Sequence, residues 1–382
     1  MSVRKRTWMT SEGERKEAWI VDYVDQHGER HIETFAKKKD ADAYHATVKV
    51  DVRKGVHTAA SKSITVTQAA ENWLKYIELE GREPATILGY RIHVNRHIVP
   101  RMGRDKLANL TTPHINKFRD DLLGSAASRS LAKAVLKSFK AILKDAHRRG
   151  DVAQNVARDV IIGTSGRVKR KLKVGVDIPT PDEIRKIIHA ATGKRRPLLL
   201  TAVFAGLRGS ELRGLRWQDV DLNRGELHVR QRADRYNVMG KPKSQSGDRT
   251  IPLGPLVLNA LKEWRLACPK GTRDLVFPNG AGNTESHANM VGRTWKPVQV
   301  KAGVIDDKGE ARYPGPHTTR HFYASWCINR KQDGGLELPI KTVQSRLGHA
   351  SIMLTSDVYG HLFPGTDDGS ELAEAEKFLM TV

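Results

Sequence analysis

The chain has 382 residues, more than one ordinary domain needs and enough for two or three. Its 65 Lys and Arg against 43 Asp and Glu give a formal charge of +22, which points to a polyanion such as nucleic acid; with 39% apolar residues to build cores, a merely basic, ribosome-like protein is the weaker reading. Cys268 and Cys327 make no disulfide framework, the longest apolar run (Pro197 to Leu207) is too short for a bilayer, and no apolar stretch follows the basic Arg4, Lys5 and Arg6, so neither membrane nor secretion is expected and a cytoplasmic or nucleoid protein is.

Residues 1–61 read as a small sheet plus a helix. Trp19 to Val24 is β-branched and aromatic, His27-Gly28 supplies a turn, and Glu29 to Phe35 alternates with Ile32 expected inward. Thr7-Trp8-Met9 offers a third strand. From Ala36 to about Lys54 a helix is expected to present Ala43, Ala46 and Val50 to that sheet. Its basic surface, with Arg15, Lys16 and Arg30, suits a short sheet laid on DNA; a dimerisation appendage is the alternative.

Gly55 to Ser63 is small and polar, a linker. Residues 64–162 then read as four helices. Thr65 and Gln68 form a capping box before Val66, Ala69, Trp73, Leu74 and Ile77. A second helix runs from Pro84 to Ile98 and is expected to stop at Val99-Pro100. Thr112-Pro113 opens a third, with Ile115, Phe118 and Leu122 inward. The fourth, Ser128 to Arg149, stripes Leu131, Val135, Phe139, Ile142 and Ala146. His93 and His97 stand four apart as metal ligands do, but no third ligand is evident, and Arg91 and Arg96 beside them favour a DNA-facing surface.

Residues 163–177 read as an extended basic linker between glycines. Arg167, Lys169, Arg170, Lys171 and Lys173 are placed to track a phosphate backbone; a solvated tether and a nuclear-import signal are the alternatives.

Residues 178–382 open with Thr180-Pro181-Asp182-Glu183, a capped helix start. A buried helix around Leu198 to Phe204 leads into the turn Gly206-Leu207-Arg208. Glu226 to Gln231 and Thr250 to Leu253 pair as strands with Lys243 between them. Helices follow at Leu256 to Leu266, Asn289 to Val300 and Thr318 to Asn329, and a tail helix at 370–382 carries Leu372, Ala375, Phe378 and Leu379 on one face. The whole is a multidomain chain, mainly α with small β-sheets: a β-sheet plus helix, an all-α domain, and a mixed but mostly helical α/β domain.

Chemistry collects in the last domain. Arg208 follows a glycine turn, His317 and Arg320 lie three apart at a helix start, and His349 and Tyr359 complete the set. Two guanidiniums suit the non-bridging oxygens of a phosphodiester. In-line attack by Tyr359 on phosphorus adds charge that they and a histidine stabilise, and Lys243 can protonate the departing oxygen. A tyrosyl phosphate conserves the bond energy, so rejoining requires no ATP; neither metal nor cofactor is called for. Taken singly each residue has a bland role: Arg208 pairing Glu211, Lys243 solvated, His317 capping, Tyr359 packing.

Taken in order, Ala205-Gly-Leu-Arg208-Gly-Ser-Glu211-Leu, Lys243, His317-Thr-Thr-Arg320-His, Leu347-Gly-His349 and Tyr359 resemble the tyrosine recombinase (phage integrase) family over the whole last domain. The resemblance implies that Tyr359 is the nucleophile, attaching to the 3′ phosphate and freeing a 5′ hydroxyl. Arg208, Arg320 and His349 would hold the phosphate, Lys243 would be the general acid with Lys241 as rival, and His317 an acid/base or phosphate ligand. It implies a core-binding role for 64–162 and an arm-type DNA-binding role for 1–61. It also implies site-specific integration and excision at double-stranded core and arm attachment sites by a homotetramer, with a DNA-bending host factor and an excision factor as candidate partners. The tail helix is implied to dock on a neighbouring subunit, packing on its own chain being the alternative; Thr319 departs from the family's usual leucine. The competing readings are a type IB topoisomerase, a DNA-binding regulator without catalysis, and a metal-dependent nuclease.

Overall fold

A computed structural model describes residues 1–55, 57–59, 62–125, 128–163, 171–242, 244–363 and 370–380. Lys243, Arg167, Lys169 and Arg170 therefore lie outside the described residues. The chain divides into two compact units, Met1–Gly166 and Arg167–Val382. Among the described residues no helix is long and apolar enough to cross a membrane.

The first unit begins with an antiparallel meander of β1 (Ser2–Met9), β2 (Arg15–Val24) and β3 (Arg30–Phe35), packed on α1 (Lys38–Arg53). Its register pairs Tyr23 with His31 and Asp22 with Ile32. Ile32 is thus on the outer face, 49% exposed, and His31 is the buried residue, correcting the inward placement of Ile32. Strand faces alternate with period two, so a one-residue error inverts the assignment. Burial of His31 is tolerated because Asp25 Oδ2 lies 2.7 Å from its Nε2. On α1 the buried positions are Ala41 and Val48, with Tyr44 packed beside them, whereas Ala43, Ala46 and Val50 are exposed. A tyrosine whose ring packs and whose hydroxyl sits 3.3 Å from that of Tyr23 was the missing member of the stripe. Of the expected linker, His57 and Ala59 are buried, and the Tyr23 hydroxyl lies 2.7 Å from His57 Nε2.

The helical part comprises α2 (Val66–Leu79), α3 (Pro84–His93), α4 (Val99–Met102), α5 (Thr112–Gly124) and α6 (Arg129–Arg149). The Thr65–Gln68 capping box is formed, and the Ser128 hydroxyl caps α6 by accepting from the Leu131 amide. Trp73, Ile98, Ile115, Phe118, Phe139 and Ile142 meet in one core. The helix expected to stop before Pro100 instead runs through it. A π-turn at Val94–Ile98, closed by the Val99 amide on Val94 O, precedes the proline, which takes the second position of α4 where no donor is needed. His93 Nδ1 lies 2.9 Å from the Ser138 hydroxyl, which ties it to α6.

The second unit takes α7 (Pro181–Ala190), α8 (Arg195–Ala205) and α9 (Gly209–Gly214), then a three-stranded antiparallel sheet. In that sheet β4 (Val220–Asp221), β5 (Glu226–Val229) and β8 (Arg249–Pro252) pair in order, and a hairpin of β6 (Arg232–Ala233) and β7 (Met239–Gly240) rises between the last two. There follow α10 (Pro255–Ala267), α11 (His287–Asn289), α12 (Lys296–Lys301), α13 (His317–Ile328), α14 (Ile340–Leu347), α15 (Ile352–Tyr359) and α16 (Ser370–Met380). A second π-turn, Met290–Trp295, again stands just before a proline, Pro297. Buried α8 packs against α10, α13 and α7 at the centre. The end of the segment read as an extended linker is folded back: Leu172 packs on the core, its carbonyl 2.7 Å from His361 Nε2, and Lys173 O closes a turn with Asp177 and Ile178. Phe378 and Leu379 of the tail helix are exposed, 86% and 75%.

Candidate active site

The site is built on two left-handed glycines. Gly206 ends α8 at φ +59°, and a Cβ there would lie 2.2 Å from the Tyr323 ring, so α8 closes on α13 only with glycine. The chain then turns and Arg208 opens α9. Its Nη1 donates to Glu211 Oε1 at 2.7 Å and its Nη2 to Gly348 O at 3.3 Å. Glu211 also accepts from Arg249 Nη2 at 2.9 Å, while Arg249 Nε donates to Arg346 O at 2.7 Å. Burial pushes the Glu211 carboxyl up, but Arg249, then Arg208 and Arg320, more than reverse this and hold it at about 2. Glu211 is therefore a fixed anion locking two cations in place.

Arg320, one turn into α13, is 1% exposed. Its Nη1 donates to Gly206 O at 2.9 Å and its Nη2 to Leu347 O. Burial, with the like charge of Arg208 next, lowers its pKa to about 9, so it stays charged at neutral pH but under strain that an anion would relieve. Gly348, at φ +63°, ends α14; a Cβ there would lie 2.8 Å from Ser246 O. Three successive residues thus serve the site: Leu347 and Gly348 receive the two arginines through their carbonyls, and His349 turns inward. Its Nδ1 lies 3.0 Å from the buried Thr355 hydroxyl, which leaves Nε2 for a ligand. Burial, then Arg320, Arg208 and Arg249, holds His349 neutral with a pKa of about 4.

Tyr359, the last residue of α15, is 2% exposed. Its ring is parallel to that of His349 at 6.3 Å between centroids. Its hydroxyl lies 2.8 Å from His321 Nδ1, and the His321 ring meets His317 edge-on at 4.7 Å. Burial raises the phenol to about 12, against the pull of Arg320 and Arg208. His317 is solvent-exposed, yet the packing around it and the charges of Arg320 and Arg208 lower its pKa.

Arg208, His317, Arg320, His349 and Tyr359 are therefore gathered in one cluster. The rival lysine, Lys241, is exposed just past β7. Of the other basic residues read as DNA contacts, Arg91 is paired with Glu78, Arg96 is exposed on the π-turn, and Lys171 and Lys173 are exposed. Three functional candidates escaped the sequence reading. Arg249 had a signal: it shares the inward face of β8 with Ile251, two residues on, and an arginine at an inward strand position needs a buried acid. Glu211 was seen only as a bland partner, and His321, four residues after His317, was legible as its helical neighbour but not as the partner of Tyr359. Three guanidiniums against one carboxylate leave an excess of positive charge around a buried phenol and three histidines. A tetrahedral or trigonal-bipyramidal oxyanion is the ligand such a set stabilises.

Comparison with known proteins agrees in both units. Residues 179–365 match the phage integrase family model, and residues 65–123 match the model of the phage integrase N-terminal SAM-like domain. A tyrosine recombinase XerC-like protein of Caldanaerobacter subterraneus subsp. tengcongensis is 26% identical over 353 residues, 86% of each chain. The ICEBs1 integrase of Bacillus subtilis is 23% identical over 80% of this chain and 81% of its own. Among solved structures, the Tn1549 transposon integrase in complex with transposon right end DNA superposes with a TM-score of 0.65 at 20% identity, covering 83% of this chain and 100% of that one. A lambda integrase dimer bound to a core site gives 0.58 at 17% identity, covering 92% and 93%.

Proposed function

We propose, from the premise that the chain belongs to the phage integrase family of tyrosine recombinases, that it integrates and excises an element by cutting and rejoining DNA through a 3′-phosphotyrosine. The observation that carries the residue assignment is the buried Tyr359 hydroxyl within the cluster of Arg208, Arg320, His317 and His349. Tyr359 is the nucleophile. Arg208, Arg320 and the Nε2 of His349 hold the non-bridging oxygens of the scissile phosphate, where charge builds in the transition state. His317, on the open side, is a further phosphate ligand. Lys243 protonates the leaving 5′ oxygen; Lys241, exposed just past β7, is the rival.

Residues 64–162 serve as the core-binding domain, 163–177 as a basic linker and 178–382 as the catalytic domain, with the sheet of 1–61 reading arm sites. The supports are the SAM-like match at 65–123 and the exposed Arg96, Lys171 and Lys173. The chain works in the host cytoplasm as a homotetramer on two attachment sites, with host bending and excision factors as candidate partners. Exposed Phe378 and Leu379 suit a tail that docks on the neighbouring subunit.

Tyr359→Phe should bind attachment-site DNA like the wild type and leave no covalent adduct on a denaturing gel; an adduct at wild-type level would remove Tyr359 from its role. Lys243→Ala should slow cleavage of an ordinary substrate far more than of one with a 5′-thiolate leaving group, which departs without a proton. Equal slowing of both excludes the lysine as general acid.

A further inference from the structure

Among the described residues, the side chain within hydrogen-bonding distance of the Tyr359 hydroxyl is that of His321, which has no part in the scheme above. We infer that His321, not its neighbour His317, takes the phenolic proton of Tyr359 as that oxygen attacks phosphorus, and returns it when the strand is rejoined. The inference rests on Tyr359 being the nucleophile. Its footing is geometric: His321 Nδ1 is 2.8 Å from the hydroxyl, within the reach a general base needs. Position on α13 explains the choice of ring. His317 and His321 are one turn apart and stacked edge-on, so His317 lies toward solvent and His321 against α15.

The electrostatic surroundings are consistent with this role. On its own helix His321 faces His317 and Arg320, from the segment before α7 Asp177 acts in the opposite sense, and from α15 it meets Tyr359. Burial, then His317 and Arg320, keeps the ring neutral, with a pKa of about 4, and in the Nε2–H tautomer Nδ1 accepts the phenolic hydrogen. A phosphodiester entering the cluster adds a negative charge nearby, which raises the imidazole pKa. Bond formation to phosphorus meanwhile makes the phenol far more acidic. In the forward step the Tyr359 oxygen–phosphorus bond forms and the phosphorus–O5′ bond breaks. The phenolic proton passes to His321 Nδ1, and the departing O5′ takes its proton from the general acid. Rejoining reverses every transfer, so no oxidant, reductant or cofactor enters.

The test is single-turnover adduct formation by the full chain on a nicked synthetic duplex carrying the core site mapped by footprinting. His321→Ala and His321→Asn should bind this duplex like the wild type yet form adduct more slowly by about a hundredfold or more. Asn keeps an acceptor near the Nδ1 position but cannot take a proton, so it separates proton transfer from positioning and retains the hydrogen bond to the hydroxyl. In both variants the rate should climb about tenfold per pH unit, as hydroxide replaces the lost base, where the wild type is flat. The defect should persist undiminished with a 5′-thiolate leaving group. His321→Asn cleaving within about threefold of wild type with a flat profile overturns the inference, as does a defect erased by the thiolate. Tyr359→Phe run alongside keeps the two claims apart. Adduct in that variant removes the nucleophile itself, whereas none there with normal His321 variants removes the proton transfer alone.

Discussion

Glu211 receives two guanidiniums on one carboxylate and is 3% exposed, so its charge cannot be removed without stranding both. Glu211→Gln leaves Arg249, with its side chain 4% exposed, buried opposite a neutral amide, a change that typically costs about 3–5 kcal/mol. Urea unfolding near neutral pH should show that loss, and a loss below about 1 kcal/mol would mean the pair is held by the backbone carbonyls alone. The pH dependence has a definite sign. The folded pKa of about 2 lies below the ordinary 4.5, so the unfolded chain binds the proton first as pH falls. Stability from this group is complete above the ordinary value and drains away as pH drops toward 2, so wild type and Glu211→Gln should converge on acidification. The sequence carried Arg208, Arg320, His317, His349 and Tyr359 as spaced motifs. It did not carry Arg249 or His321 as members, because what recruits them is a partner far along the chain: Glu211 for one, Tyr359 for the other.

Elements were legible where the signal is local. Capping boxes at Thr65 and Thr180 started α2 and α7 where they were read, and of the apolar stripe of α6 Val135, Phe139, Ile142 and Ala146 are buried, with Leu131 partly so. They were misread where a neighbour decides the outcome. Pro100 ends no helix because a π-turn precedes it, and the faces of β3 and α1 were assigned without the aromatic and histidine pairs that set them. The corner between α14 and α15 shows how one element's end positions chemistry. Gly348 sits at φ +63° with Ser246 O and the Arg249 side chain within 3.0 Å of where a Cβ would stand. Gly348→Ala must therefore adopt a disfavoured backbone and also push the loop before β8, at a cost of roughly 1–3 kcal/mol. Because the Gly348 carbonyl accepts from Arg208 and the next residue is His349, the cleavage rate should fall by far more than the stability loss accounts for. Wild-type cleavage in a destabilised Gly348→Ala would show that the corner supports the fold without aligning the site.

Across the whole molecule, the net charge of +22 governs what the chain will approach. Composition announces a polyanionic partner, but it does not say which cations meet phosphate and which are already spent on acids. That distinction is visible on α3 and the π-turn beyond it. Arg91 is ion-paired with Glu78, while Arg96 is exposed with no ion pair among the described residues. Each phosphate a protein neutralises on duplex DNA releases condensed counterions and steepens the fall of affinity with salt by about 0.9 in the logarithmic slope. If Arg96 is such a contact, Arg96→Ala weakens binding to specific and unrelated duplexes alike and makes the slope shallower by about 1. Arg91→Ala should do less, because Arg91 must leave Glu78 before it can reach a phosphate, and the released glutamate would then repel the backbone. Binding isotherms for both variants across a salt series decide the matter. Equal slopes for wild type and Arg96→Ala would place the DNA against another face of the bundle.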